Sequence, residues 1–209
     1  MPPPPDSGLV LTSRPRVDPS EGDFDGDRAL GVYVHFPFCA VHCPYCDFAV
    51  DVRPEIPHDA YADAVVKEIG ARAAWFLEES RLPDFRSLYF GGGTPGLWRP
   101  EALARVVSAV QAELGVSSEA MRAAEITVEV NPSAADSGHL AALRSAGVNR
   151  LSLGAQSFAN EELAHLGRDH DAAAIPRAFS AAREAGFTNL TVDLMFGVPG
   201  QTLDSWRAA

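Results

Sequence analysis

Cysteine is scarce in this chain: 209 residues contain three, Cys39, Cys43 and Cys46. An odd number crowded into eight residues is no disulfide framework, which excludes a small stapled secreted domain. Positive charge is scarce too. Lys and Arg number 17 against 28 Asp and Glu, a net charge of −11 with no basic block to offset it. A broad electrostatic hold on nucleic acid or anionic membrane is therefore excluded as the main activity. Long apolar runs are missing. No stretch reads as a bilayer span, and the opening MPPPPDSG has no basic segment leading into an apolar one, as a secretory signal would. What remains is an ordinary globular composition, 46% hydrophobic, suited to a reducing cytoplasm.

Prolines 2–5, 15 and 19, with Asp18, Glu21, Asp23, Asp25 and Asp27 set among glycines, predict a flexible or irregular amino-terminal arm over residues 1–29. From residue 30 to 209 the pattern alternates. Strands are expected near residues 30–35, 87–90, 125–130, 150–154 and 189–196. Helices are expected near 60–79, 99–114, 160–166 and 171–185, with a last one opening at Leu203. Val65, Ile69, Ala73 and Phe76 give the first helix its apolar stripe; Leu103, Val106, Val107 and Val110 give the second. Ser133 and Asp136 read as a capping box for a helix ending at Gly147. The segment RSAGVN at 144–149 echoes REAGFT at 183–188, as repeated strand–helix units would. The fold class is α/β, a partial (β/α) barrel of parallel strands that breaks off after the fifth strand. The chain is expected to be the amino-terminal portion of a longer protein, its core incomplete at the carboxyl end.

The three cysteines follow the first strand with C-x3-C-x2-C spacing, and thiolates are soft ligands for iron or zinc. Three ligands on one loop leave one position of a four-site object open, as in a [4Fe-4S] cluster with one iron lacking a protein ligand. Structural zinc with His35 or His42 as a fourth ligand, the mark of a zinc-binding interaction module, and buried free cysteines are the alternatives. Phe36, Pro37, Phe38, Pro44, Tyr45 and Phe48 are expected to stiffen the loop and keep water from it. Further unusual residues fall at or after strand ends: GGGTP at 91–95, Glu129, Gln156 and Asp193. In α/β folds that edge carries the chemistry.

Six motifs in order, YVHFPFCAVHCPYCDF, YFGGGTP, EVNP, RLSLGAQSF, LGRDH and DLMFGVPGQT, resemble the radical S-adenosylmethionine (SAM) enzymes. Within them they resemble the oxygen-independent coproporphyrinogen III oxidase-like group, over residues 30–209. The resemblance implies a barrel of the radical SAM type around a [4Fe-4S] cluster held by Cys39, Cys43 and Cys46. It implies SAM on the open iron and cleavage to methionine and a 5′-deoxyadenosyl radical; no catalytic residue is assigned beyond the cluster. Tyr33 would contact the cosubstrate, and the backbone of Tyr45 would lie near the adenine. Gly92, Gly93 and Thr94 would receive the amino end of its methionine. Glu129, Gln156, Arg168 and Asp193 would surround the ribose and carboxylate, and Val198 would line the adenine side.

Position 48 is phenylalanine where the oxidases of this group carry a further cysteine, and residues 1–29 show no match to their substrate-supporting segment. Both points favour the HemW-like branch of heme chaperones. That branch implies heme as ligand and heme-acceptor proteins at or near the cytoplasmic membrane as partners. A working radical enzyme would instead need an electron donor and a porphyrin-like substrate. His139, His165 and His170 read as surface or helix-boundary residues, not heme ligands.

Overall fold

The computed structural model describes residues 29–79 and 84–209, with backbone alone for residues 75–79. Except for Ala29, the predicted arm lies outside the described residues, as does the side chain of Phe76. In chain order the elements are β1 (Ala29–Phe36), β2 (Phe38–Cys39), β3 (Asp51–Val52), α1 (His58–Glu79), β4 (Asp84–Gly92), α2 (Pro100–Glu113), α3 (Ser118–Ala123), β5 (Glu125–Val130), α4 (Ser137–Ser145), β6 (Arg150–Gln156), α5 (Asn160–His165), α6 (Ala174–Glu184), β7 (Asn189–Leu194) and α7 (Leu203–Ala208). Short 3-10 turns follow β4 at Pro95–Leu97 and β5 at Pro132–Ala134.

The main sheet has the order β1-β4-β5-β6-β7, and every neighbouring pair is parallel. Strand order follows chain order without reversal. A doubly wound sheet would reverse at a switch point, so this is the wall of a partial (β/α) barrel. All carboxyl ends therefore share one rim.

The strands alternate more sharply than parallel strands usually do. Leu88, Phe90, Ile126, Val128, Val130, Leu151 and Leu153 turn to the helix side and are buried. Leu103, Val106, Val107 and Val110 of α2 pack into the same core. The alternate positions carry Tyr33, Tyr89, Thr127, Glu129, Ser152 and Asp193 on the opposite face. Period-two side-chain direction thus gives the wall one apolar face and one polar face. The polar face is cross-linked: the Ser152 hydroxyl donates to Asp193, and the Tyr89 hydroxyl donates to Glu129 at 2.8 Å.

The echoed segments play equivalent parts. Gly147 (φ +104°) and Gly186 (φ +89°) end α4 and α6, and Arg144 and Arg183 donate to the carbonyls of Val148 and Phe187.

Several expectations are corrected. Ser133 is no part of a cap: Asp136 alone caps α4, accepting from the His139 N–H at 3.0 Å, and Ser133 sits in the preceding turn and donates to Asp169 at 2.8 Å. The 136–139 spacing satisfies the helix start, which frees Ser133 for a tertiary bond. The helix expected from residue 171 starts at Ala174, because the Asp171 side chain accepts from the Ala174 N–H and closes a turn ahead of it. Helix α3 and the β2–β3 pair were not expected; they span six and two residues, too short for a periodic signal.

Candidate active site

The cysteine loop hangs from an aromatic anchor. Phe36, Phe38, Tyr61 and Trp98 interlock beneath its start, with ring centroids 4.8 Å apart for Phe36–Trp98 and 5.3 Å for Phe38–Tyr61. Phe36, Phe38 and Trp98 are buried. Burying each such ring stabilises by about 1.5–3 kcal/mol, so the backbone delivering Cys39 is firmly held. The β2–β3 pairing and a 2.7 Å bond from the Asp51 N–H to the Pro37 carbonyl close the neck of the loop. Tyr45 and Phe48 were expected to exclude water, yet both face solvent, Phe48 with 67% exposure.

The GGGT segment runs along the start of that loop. The Gly93 N–H donates to the Phe36 carbonyl at 2.8 Å and the Thr94 N–H to the Phe38 carbonyl at 2.9 Å. A Cβ on Gly93 would stand 2.9 Å from Cys39 Sγ, so only glycine permits the approach. The Thr94 hydroxyl donates to Cys39 Sγ at 3.6 Å.

A cavity of about 470 Å³ opens at the rim above these groups. All three cysteines line it, with Tyr45, Gly92, Gly93, Thr94, Glu129, Gln156, Arg168 and Asp193. The strand-end residues singled out in sequence, spread over more than 150 positions, thus share one space. Tyr33 does not line it. The residue is 58% exposed, its ring centroid lies 6.2 Å from that of Tyr89, and its hydroxyl meets His35 Nδ1 at 3.1 Å. Val198 is buried away from the cavity. Two larger hollows, of about 550 and 810 Å³, lie along the outer edge of β1 and beside α6. Convergent chemistry, not volume, singles out the smaller one.

Gln156 is the single non-glycine residue with positive φ among the described residues, at 65°. Its carbonyl accepts from the Met195 N–H at 2.8 Å, which locks the strained end of β6 to the exit of β7.

Arg168 reaches across to the loop. Its guanidinium donates to Asn131 Oδ1 (2.7 Å), the Gly154 carbonyl (3.0 Å) and the Tyr45 hydroxyl (3.3 Å), and lies 3.7 Å from Cys43 Sγ. Its Nε is buried without a partner.

The electrostatics follow from crowding. Burial pushes the Cys39 thiol above its usual range; the Thr94 hydrogen bond opposes this, and the Cys46 and Cys43 thiols reinforce it. A cationic centre among the three would favour their ionised forms. Burial also raises Glu129, against the hydrogen bonds from Tyr89 and the Gly92 N–H. Burial raises Tyr89 strongly, and its bond to Glu129 adds to the rise.

The histidines are mostly engaged. His35 Nε2 meets the Ala49 carbonyl at 2.8 Å, so the ring is tied at both nitrogens. His139 Nε2 meets the Gly96 carbonyl at 2.7 Å. His170 has a fully buried side chain with Nε2 at 3.2 Å from the Ala155 carbonyl. His42 and His165 are exposed. Among the described residues, no three His, Cys, Asp or Glu side chains gather closely enough to hold one metal ion.

Sequence reading missed Asn131, Tyr89, Ser152 and Met195 at this site. Asn131 lay within the EVNP motif, so the signal was there; Tyr89 and Ser152 looked like plain strand residues.

The model of the Radical SAM superfamily matches residues 33–209, and the chain belongs to that superfamily. It is 35% identical over 176 residues to the heme chaperone HemW of Escherichia coli (strain K12), covering 84% of this chain and 44% of that protein. It is 37% identical over 197 residues to the mouse mitochondrial protein "Radical S-adenosyl methionine domain-containing protein 1", covering 92% and 42%. Among solved structures, it superposes on the E. coli coproporphyrinogen III oxidase HemN, a radical SAM enzyme, with a TM-score of 0.74 and 33% identity over 87% of this chain and 40% of that one. The chain spans less than half the length of these relatives. Among the described residues, no helix is long and apolar enough to cross a membrane.

Proposed function

We propose that residues 30–209 form the core of a radical SAM oxidoreductase that acts on a porphyrin-like substrate. Cys39, Cys43 and Cys46 hold a [4Fe-4S] cluster, and SAM occupies the adjoining cavity. One observation carries this reading: three thiols, a guanidinium and two carboxylates converge in a single cavity at the carboxyl rim of the sheet.

The residues suit both groups. Three soft thiolates on one loop, all lining the cavity, suit a cluster with one iron left free for a small chelator. Half-buried Arg168 lines the cavity with its Nε left without a partner, and a carboxylate is the natural acceptor for such a guanidinium. When bound, the cluster supplies a single electron to the sulfonium of the cosubstrate. The protein's part is placement. Arg168 neutralises the carboxylate, Glu129 and Asp193 accept from ribose hydroxyls, and Gln156 donates and accepts beside them. The backbone from Gly92 to Thr94 receives the amino group, with Thr94 also steadying Cys39. Tyr33 acts from outside the cavity, by packing on Tyr89. The porphyrin-like substrate rests on the likeness to the coproporphyrinogen III oxidase HemN, and the reaction would need an external electron donor.

A second reading keeps the same core but makes it a heme chaperone that hands heme to acceptor proteins near the cytoplasmic membrane. The HemW relatives and Phe48 in place of a further cysteine favour it.

Anaerobic reconstitution followed by electron paramagnetic resonance tests the shared core: a four-iron signal that shifts on adding SAM is expected. Tight zinc binding with no such signal would sink both readings. Tetrapyrrole-dependent formation of 5′-deoxyadenosine separates the first reading from the second, for which heme transfer without turnover is the mark. Replacing Cys43 with serine should remove the cluster; a full complement of iron and sulfide in that variant would refute its role as a ligand.

A further inference from the structure

Arg168 has four acceptors around its guanidinium, and the shortest contact goes to a residue with no role so far. Asn131 Oδ1 takes the Nη2 proton at 2.7 Å. Only the amide oxygen can face that donor, so the amide orientation is settled. The Asn131 NH2 then points the other way and donates to Thr94 Oγ1 at 3.4 Å. The Thr94 hydroxyl in turn donates to Cys39 Sγ at 3.6 Å. Donor directions run consistently along this chain, from amide to hydroxyl to sulfur, so each link polarises the next.

Asn131 directly follows β5, so it sits at the rim by position. It touches the segment after β4 through Thr94 and the turn after α5 through Arg168. Arg168 bridges onward to Cys43 Sγ and the Tyr45 hydroxyl. One short side chain thereby links the Cys39 end of the cysteine loop to the cation of the cavity, which itself reaches the loop's middle. A guanidinium on a long flexible stem has much rotamer entropy to lose, and a fixed neutral acceptor removes that freedom before any ligand arrives.

We propose that Asn131 is a positioning residue for the cosubstrate: it holds Arg168 in the orientation that receives a ligand carboxylate and ties that orientation to the Cys39 side of the loop. The inference rests on the radical SAM reading above and deepens it.

The test is equilibrium binding of SAM to anaerobically reconstituted full chain, with iron and sulfide measured on each sample. Asn131→Ala should weaken binding about tenfold or more, as expected for losing a hydrogen bond to a charged group, while iron and sulfide stay at wild-type levels. Asn131→Asp keeps an acceptor toward Arg168 but sets a negative charge against the guanidinium ahead of the ligand carboxylate, so it too should weaken binding about tenfold or more with iron and sulfide retained. In an Arg168→Ala background, Asn131→Ala should add little, because its effect runs through that side chain. A merely structural role would lower the unfolding midpoint and leave the affinity of the folded fraction unchanged. Wild-type affinity in Asn131→Ala, or in Asn131→Asp, would overturn the proposal; the second holds even if the alanine variant does not fold. Failure of the wild-type chain to bind SAM would instead sink the radical SAM reading beneath it.

Discussion

Gly167 stands against Pro44: a Cβ added to Gly167 would lie 2.6 Å from Pro44 Cδ. Its backbone is also left-handed, at φ +62°. This contact joins the turn that presents Arg168 to the middle of the cysteine loop, between Cys43 and Tyr45. The Cys43 thiol lies 3.9 Å from the Gly167 carbonyl on the same side.

Gly167→Ala meets two penalties at once, a left-handed backbone for an L side chain and a collision with a rigid ring. We expect a loss of about 1–3 kcal/mol, read as a lower urea midpoint at unchanged slope. Reconstituted iron should fall with it, because relief of the collision moves the loop. An unchanged midpoint would show that the two segments part freely.

Glu129→Gln should stabilise the apo-protein at neutral pH. Burial holds the Glu129 carboxyl above its usual range, so the folded chain binds that proton more tightly than the unfolded chain. Its contribution is favourable below the ordinary carboxylate range and is lost as pH rises through the folded value. Gln keeps the site shape, since the Tyr89 hydroxyl can turn and accept while the amide oxygen takes the Gly92 N–H. The melting temperature of the variant should exceed wild type at about pH 8 and converge on it near pH 4, with SAM binding weakened. A variant less stable at high pH would show that the carboxylate charge is well solvated.

Glu162 gives the opposite sign. This buried carboxylate accepts from Ser157 Oγ (2.6 Å), Ser205 Oγ (2.8 Å) and Gln201 Nε2 (2.9 Å). The Ser157 bond, aided by the other two, holds it below its usual range against the cost of burial. Its stabilisation is present above the ordinary carboxylate range and is lost as pH falls through the depressed value. Gln201 cannot turn its amide, because its oxygen already takes the Gly197 N–H. Glu162→Gln should therefore raise amide exchange across residues 195–205 at pH 7, and the gap from wild type should narrow in acid. Equal exchange at pH 7 would mean the carboxylate does not fasten this turn.

Arg168→Gln removes the cavity's cation and should weaken SAM binding about 10–100-fold, with Arg168→Lys intermediate. Iron and sulfide should be retained, since Arg168 touches Cys43 only at 3.7 Å. Iron loss with unchanged affinity in the loaded fraction would argue against a ligand contact.

The amino-acid sequence alone determined the order of the main-sheet strands and the longer helices, because the two hydrophobic periods and the glycine stops are local. Glu125–Val130 falls where the alternation ends, and Gly147 and Gly186 stop their helices as read. It also determined the thiol loop, since three cysteines within eight residues are neighbours in any fold. Contacts between distant segments were decided only in the tertiary structure. Spacing within one strand could not tell that Tyr33 packs on Tyr89 and meets His35 beside the cavity, that Ser133 bonds Asp169 instead of capping α4, or that Glu162 is buried under donors from α7 and the turn before it. Each of these depends on what another strand or helix brings alongside. Asn131 is the sharpest case: its partners Thr94 and Arg168 lie 37 residues away on either side, and parallel strands ending at a common rim bring them within reach of one amide.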